Sequence, residues 1–274
     1  MEILSYPFFR NALIGVILIS VGAALIGCYI VSRRMVFISG GITHACFGGL
    51  GLGYFLGVSP LAMAAAFAVA GSLGVDWLSR RRVRKDSAIA VIWALGMALG
   101  ILFVFLTAGY VPELNSFLFG NVLTITHTDL WLFALFTALL GAFYLLFYRV
   151  IVAVSFDEDF ARTLHLPVTA VNVMMTVFVS LAIVLTIRMI GIMLLMSLLS
   201  LPQITAELFT RRYAPMMWLS MALSLAGGIG GLFIAYFISV PASAAIVLLL
   251  VAFYGAGAAI AAWRSRCRIT PDND

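Results

Sequence analysis

Long apolar runs, separated by short polar turns, occupy almost the whole chain. Nine runs can be drawn, at 11–31, 37–57, 60–78, 87–107, 129–148, 169–187, 189–206, 214–238 and 242–263. Each has about the 20 residues that an α-helix needs to cross the hydrocarbon core of a bilayer. The pattern predicts an all-α integral membrane protein, a polytopic bundle of about nine transmembrane helices. Eight is the alternative, because the turn near Arg188 is very short.

The composition leaves little sequence for anything but membrane spans. Of the 274 residues, 64% are hydrophobic and 10% are charged, which is far from the composition of a soluble domain. We therefore expect one transmembrane domain, residues 1–274, surrounded by membrane lipid. The net charge of +5 does not indicate a nucleic-acid partner, because the positions of the basic residues are explained by topology.

The basic residues fall on alternate turns of the nine-span drawing. With the N-terminus outside, only Arg10 and Arg188 of the 16 Lys and Arg residues lie outside. Cytoplasmic loops of membrane proteins carry this excess of Lys and Arg. We therefore expect the N-terminus outside and the C-terminus in the cytoplasm.

A polar segment at about 155–166 interrupts the apolar runs near the middle of the chain. Its charged residues are three consecutive carboxylates and an arginine, Asp157, Glu158, Asp159 and Arg162. These charges cannot cheaply enter hydrocarbon, and their order is typical of a short helix. Phe156 and Phe160 give that helix an apolar side. We expect a cytoplasmic amphipathic helix to which another protein can bind; an ordinary polar loop is the alternative.

His44 lies inside the second apolar run. A histidine within a membrane span is a functional candidate, and imidazole is a common ligand of transition metals. Thr43 and Cys46 could add weak ligands beside it. The alternative is a structural histidine bonded to a neighbouring carbonyl.

The stretch 108–128 is the longest one on the non-cytoplasmic side. We expect it to form an outer rim or lid where an external partner docks. The candidate docking residues, within this stretch and just after it, are Glu113, Asn115, His127 and Asp129.

Sequence motifs of catalysis are missing from the chain, which contains no GxSxG, HExxH or Walker A element. An intramembrane hydrolase would need a second ionisable residue facing His44, and the sequence offers none. The sequence therefore shows no catalytic constellation, an intramembrane hydrolase is the less favoured alternative, and any uphill transport would need an outside energy source.

Several segments together resemble the permease subunits of the metal-type ABC importers, the ABC-3 family, which take up zinc, manganese or iron. In chain order these segments are Arg33-Arg34-Met35, Thr43-His44-Ala45, Asp86–Ile89, Gly96–Gly100, Phe117–Asn121, Phe156–Ala161, Leu194–Ala206 and Pro241–Leu248. Each segment is weak alone, but together they cover nearly the whole chain in the right order.

The resemblance implies a type II ABC importer fold in a bacterial cytoplasmic (inner) membrane. It implies a permease homodimer, two ATP-binding cassette subunits that hold ATP and Mg²⁺, and a periplasmic or surface metal-binding protein. It also implies that the chain carries no cofactor of its own and passes a divalent metal as cargo. The residues that would couple to the ATPase are Phe156, Asp157, Glu158, Asp159, Phe160 and Arg162.

Three departures from the family pattern stand out. Gly40 replaces an Asp that many members carry one helical turn before the histidine. Leu164-His165 replaces a Gly, and Ala242-Ser243 replaces Thr-Gly. The first departure bears on the metal site, for which we expect zinc first and manganese or iron second. A cobalamin or siderophore permease, the remaining alternative, would need a wide cavity with few ligands.

Overall fold

The computed structural model describes residues 6–81, 83–107, 120 and 122–268. This part of the chain forms nine α-helices and one short 3₁₀ turn, Val122–Thr124, and it contains no strand. The helices are α1 (Pro7–Ser32), α2 (Val36–Leu56), α3 (Pro60–Arg80), α4 (Lys85–Leu106), α5 (His127–Phe156), α6 (Glu158–Thr163), α7 (Val168–Glu207), α8 (Tyr213–Ile238) and α9 (Ala242–Arg268). All of them except α6 are long and apolar enough to cross a membrane. The prediction of an all-α polytopic bundle is confirmed.

Local sequence signals set several of the helix ends. Ser59 caps α3, whose first residue is a proline, and its hydroxyl accepts a hydrogen bond from a backbone N–H of the first turn. Thr126 and Asp129 form a reciprocal capping box at the start of α5. Gly57 ends α2 in the left-handed conformation. These caps satisfy backbone groups that would otherwise lose their partners at a helix end.

Helix α7 is too long for a single crossing. Its 40 residues would span about 60 Å as a straight helix, roughly twice the hydrocarbon thickness. The helix is broken at Gly191, where φ is 77° and ψ is 173°, a conformation essentially reserved for glycine. A Cβ atom built on Gly120 would collide with the backbone of Ile190 and Gly191, so the chain is closely packed at this break.

The contacts of α7 show that it turns back at Gly191. Near its start, Asn172 accepts a hydrogen bond from Arg33 at the end of α1. At its far end, Glu207 lines the same cavity as Arg33. The middle of α7 lies at the opposite end of the bundle, because Met189 packs beside Gly15 near the start of α1. The spanning helices therefore make nine passes, in agreement with the nine apolar runs, and the turn falls at Gly191.

Several polar side chains in the core bond to backbone groups of other helices. Gln203, which is fully buried on α7, donates to the carbonyl of Ala23 on α1 at 3.0 Å. The Tyr144 hydroxyl donates to the carbonyl of Leu25 at 2.7 Å and lies 3.0 Å from the Tyr213 hydroxyl. Because an unpaired polar group in a membrane costs several kcal/mol, these bonds fix α1, α5, α7 and α8 against one another.

Helices α2 and α4 approach each other through glycines. A Cβ atom built on Gly100 of α4 would lie 2.7 Å from the carbonyl oxygen of Phe47 on α2. One built on Gly96 would collide with the backbone of Ala45. Small residues permit this backbone contact between helices in lipid. The contact brings the side chains of α4 over the face of α2 that carries His44.

Candidate metal path and coupling helix

The imidazole of His44 is held between aromatic rings. Trp93 on α4 stacks on it with ring centroids 4.3 Å apart and planes inclined by 6°. Phe47, one turn further along α2, lies at a centroid distance of 5.8 Å. Two helices therefore fix the plane of the imidazole.

The Nδ1 atom of His44 is buried and has no hydrogen-bond partner among the described residues. Buried polar atoms in proteins nearly always have a partner, so an exception calls for a specific reason. The structural alternative for His44, a bond to a neighbouring carbonyl, does not occur at this nitrogen. Nδ1 is one of six such side-chain atoms among the described residues, and the imidazole makes no hydrogen bond through it.

The side chain of Met196 fills the space next to Gly40, one turn before His44. The terminal methyl of Met196 lies 2.9 Å from the position that a Cβ atom on Gly40 would take, and the Trp93 ring lies 3.9 Å from it. A thioether from α7 therefore occupies the place where many family members are expected to present a carboxylate.

Thr43 and Cys46 do not join His44. Both side chains are buried, and each donates to a carbonyl one turn back on α2: Thr43 to Ser39 at 2.5 Å and Cys46 to Ile42 at 3.1 Å. Within the described residues, no group of three or more His, Cys, Asp or Glu side chains is placed to hold a metal ion. One chain therefore contributes a single imidazole at this point of the bundle.

The central polar segment forms α6, a helix of six residues, preceded by Phe156 at the end of α5. Asp157 caps it by accepting a hydrogen bond from the backbone N–H of Phe160 at 2.9 Å. Its inner side is Ala161, which is fully buried against Val154 and Val168. The helix is thus fixed to the bundle by a small apolar contact of its own.

Three large apolar side chains of this segment are exposed. Phe156, Phe160 and Leu164 are 58%, 57% and 53% exposed. Phe160 and Leu164 lie four residues apart, on α6 and at its C-cap. Phe156 ends α5, before the extended Asp157, and its ring centroid lies 6.3 Å from that of Tyr213. Three large apolar side chains beside exposed charges are typical of a surface that another protein covers.

Glu158 joins α6 to the first helix of the chain. Its carboxylate accepts hydrogen bonds from Arg33 at 2.6 Å and from Arg162 at 2.7 Å. Arg33, whose side chain is 10% exposed, also donates to Asn172 on α7 at 2.6 Å. Partial burial alone would raise the pKa of Glu158, but the bonds from Arg162 and Arg33 outweigh it and lower that pKa to about 2.

A charged cavity of about 690 Å³ opens beside α6. It is lined by Arg33 and Glu158 and by further charged residues from other elements, Arg34, Lys85, Glu207 and Arg211. Sequence reasoning missed the connection between Arg33 and Glu158. The one sequence signal for this connection was that the basic pair Arg33-Arg34 and the acidic segment were predicted on the same side of the membrane.

At the opposite end of the bundle, Asp129 serves the structure. Its carboxylate completes the capping box with Thr126 and pairs with Arg188, at 2.9 Å, close to the turn of α7. The Asp129 side chain is only 7% exposed, whereas His127 is exposed. Glu113 and Asn115, the other two candidates for external docking, lie outside the described residues.

The eight membrane-length helices in the described part of the chain define a polytopic membrane protein. The chain matches the ABC 3 transport family over residues 5–261, and it belongs to that family. It is a transport subunit and not itself an enzyme; ATP hydrolysis lies in a partner ATPase.

Individual relatives agree with this assignment. Manganese transport system membrane protein MntC of Halalkalibacterium halodurans is 32% identical over 253 residues, covering 90% of this chain and 85% of that protein. A protein of Haemophilus influenzae, named "Probable iron transport system membrane protein", is 30% identical over 256 residues, covering 93% and 94%. The solved structure of PsaBC from Streptococcus pneumoniae in complex with Fab matches with a TM-score of 0.82 and 27% identity, over 93% of this chain and 92% of that one.

Proposed function

We propose that this chain is the permease of an ATP-driven importer of divalent transition metal ions and that His44 contacts the metal on its way through. The observation that carries this proposal is the intramembrane imidazole, held in place by two aromatic rings, with its buried Nδ1 unpartnered. A single neutral ligand binds a metal weakly. Weak binding suits a transport path, because the ion must leave the site as readily as it enters.

The relatives favour manganese or iron as the cargo. Imidazole binds zinc, manganese and iron alike, so His44 does not select among them. The sequence had placed zinc first, but the two named relatives are associated with manganese and with iron. We therefore place manganese and iron ahead of zinc.

In the assembly that we propose, a different partner protein binds at each end of the bundle. The segment that carries the exposed Phe156, Phe160 and Leu164 docks onto an ATP-binding cassette subunit, which holds ATP and Mg²⁺. A metal-binding protein delivers cargo at the other end, near the stretch 108–128 and the exposed His127. Two copies of the chain form the complete path, and a second copy would bring a second imidazole.

The orientation follows the positive-inside rule. Arg33 and Glu158 lie at the cytoplasmic end of the bundle, and Asp129 and Arg188 lie at the outer end. The chain then crosses a bacterial cytoplasmic membrane nine times, with its N-terminus outside and its C-terminus inside.

Uptake by His44 variants tests the function. In proteoliposomes that hold the permease and its ATPase, with loaded binding protein outside, His44→Ala and His44→Gln should each lower metal uptake at least tenfold. Basal ATP hydrolysis should stay near the wild-type rate. Radioactive manganese, iron and zinc, added in turn, identify the cargo.

A matched control is His165→Asn, which removes an exposed histidine outside the spans. Asparagine is chosen because residue 165 has a positive φ of 54°, which asparagine tolerates. This variant should transport normally. Normal uptake of all three metals by both His44 variants would show that His44 is a packing residue.

A further inference from the structure

We propose that Trp93 is a positioning residue for His44, holding the imidazole in the orientation from which it meets the metal. The proposal rests on the proposed function, because it takes His44 as the residue that contacts the cargo. The ring planes of the two side chains are inclined by only 6°, at a centroid distance of 4.3 Å.

Trp93 takes the place of a hydrogen bond that metal-binding histidines usually have. Such a histidine normally donates its second ring N–H to a carboxylate, carbonyl or water, which fixes the direction of the ring. The Nδ1 atom of His44 has no such partner among the described residues. The stack on Trp93 therefore holds the plane of the imidazole.

A backbone contact sets the distance between the helices that carry the two rings. Trp93 lies one turn before Gly96, at which α4 is in backbone contact with Ala45 of α2. This contact fixes the positions of the two backbone segments from which Trp93, which is 38% exposed, and His44 project. The same ring also lies 3.9 Å from the Cβ position of Gly40, one turn below His44.

The electrostatics of an indole suit a transient metal contact. The face of the ring carries a negative potential, so it stabilises an imidazole that becomes more positive when a cation binds. An indole carries no charge and offers no lone pair to the metal, so it adds no second ligand. It favours arrival of the ion without holding it, unlike a carboxylate at position 40.

Two substitutions at position 93 separate positioning from packing. Trp93→Ala should lower metal uptake by the assembled transporter roughly three- to tenfold, the effect of losing one aromatic pair. Trp93→Phe, which keeps a ring to stack on, should recover most of the rate. Trp218→Ala, which removes a tryptophan that is 63% exposed, is the control and should be neutral. Expression, assembly and basal ATP hydrolysis should be unchanged in all three.

A double mutant separates this proposal from the proposed function. If Trp93 acts through His44, then Trp93→Ala should have no further effect in a His44→Ala background. If His44→Ala lost uptake while Trp93→Ala kept the wild-type rate, only the proposed role of Trp93 would be overturned. Wild-type uptake in His44→Ala would overturn the function of the site. A further loss in the double mutant would show that Trp93 acts independently of His44, which also overturns the proposal.

Fluorescence gives an answer even if Trp93→Ala does not assemble. The other four tryptophans, Trp77, Trp131, Trp218 and Trp263, are all more than half exposed. They can therefore be replaced by phenylalanine to leave Trp93 as the only indole. Paramagnetic Mn²⁺ should then quench the emission of Trp93, and His44→Ala should abolish the quenching. Quenching that is absent, or that survives His44→Ala, would overturn the proposal.

Discussion

In the proposed path, the residue at position 40 sets how many ligands can lie beside His44. Gly40 lies one helical turn before His44, and residues at that spacing share a face of α2. The space beside it holds the flexible end of Met196. A carboxylate placed at position 40 could therefore reach the same region as the imidazole, once the methionine moves aside.

We expect Gly40→Asp to assemble normally and to bind the metal more tightly. Tighter binding by roughly tenfold or more is expected, since even the outer partners of metal ligands change affinity by that factor. The maximal rate of uptake should fall, because release from the site becomes slower. Uptake measured over a range of metal concentrations would show both changes.

The matched control is Gly96→Ala, which should disrupt assembly because its Cβ would collide with the backbone of Ala45. Loss of assembly in Gly40→Asp as well would show that Met196 cannot yield, contrary to the expectation.

The sequence predicted His44 but not its surroundings. A lone histidine in an apolar run is visible in the sequence, because nearly everything around it is apolar. Trp93, which stacks on His44, and Met196, which lies beside Gly40, come from other helices. Their positions depend on how α2, α4 and α7 pack. Thr43 and Cys46 are neighbours of His44 in sequence, yet the helical geometry turns both towards the core.

Among the elements, α6 is tied to α1 and α7 by charged groups. Its sequence predicted a helix with a carboxylate-rich start, because the order of charges is a local signal. The predicted segment of 155–166 was longer than the helix, which covers only Glu158–Thr163. The bond from Arg33 to Glu158 joins residues far apart in the chain, so no local pattern could show it.

Glu158→Gln should uncouple ATP hydrolysis from metal uptake. The substitution removes the charge that both arginines bind and leaves Arg33, which is largely buried, without its ionic partner. We expect a several-fold fall in metal imported per ATP hydrolysed, with the bundle still folded. Asp86→Asn is the control, because Asp86 forms only an exposed pair at 3.9 Å. An unchanged ratio in Glu158→Gln would mean that this connection does not transmit movement.

The ion pair between Arg33 and Glu158 should not change with pH in the physiological range. The pKa of Glu158 is lowered to about 2 from an ordinary value of 4.5. Its contribution is therefore complete above pH 4.5 and is lost only as the pH falls towards 2. The wild-type ratio of uptake to hydrolysis should thus show no titration from this group between about pH 6 and 8.

At the scale of the whole molecule, the number of passes was predictable because bilayer thickness sets the length of a span. The position of the turn in α7 could not be predicted from the sequence, because Gly191 is one of 24 glycines. Only the backbone conformation distinguishes it from glycines that pack inside helices. Arg188, near which the turn was expected, lies in the part of α7 before Gly191 and pairs with Asp129.

Labelling of single cysteines should establish the orientation. In a Cys267→Ser background, the remaining Cys28 and Cys46 are buried and should not react. His127→Cys and Thr163→Cys then place thiols at exposed positions on opposite ends of the bundle. In intact cells an impermeant thiol reagent should label residue 127 only, and in permeabilised cells it should label both. Labelling of residue 163 alone in intact cells would mean that the proposed orientation is inverted.

The bond between Arg33 and Glu158 also orders events during biosynthesis. Arg33 emerges from the ribosome with the first helix, but its partner follows 125 residues later. Until then α6 does not exist, and the surface proposed to receive the ATPase cannot be complete. An ATPase that recognises this surface would therefore recruit only chains whose first and central segments have already met. Binding of the ATPase would thus require a completed permease, and truncated chains would bind no ATPase.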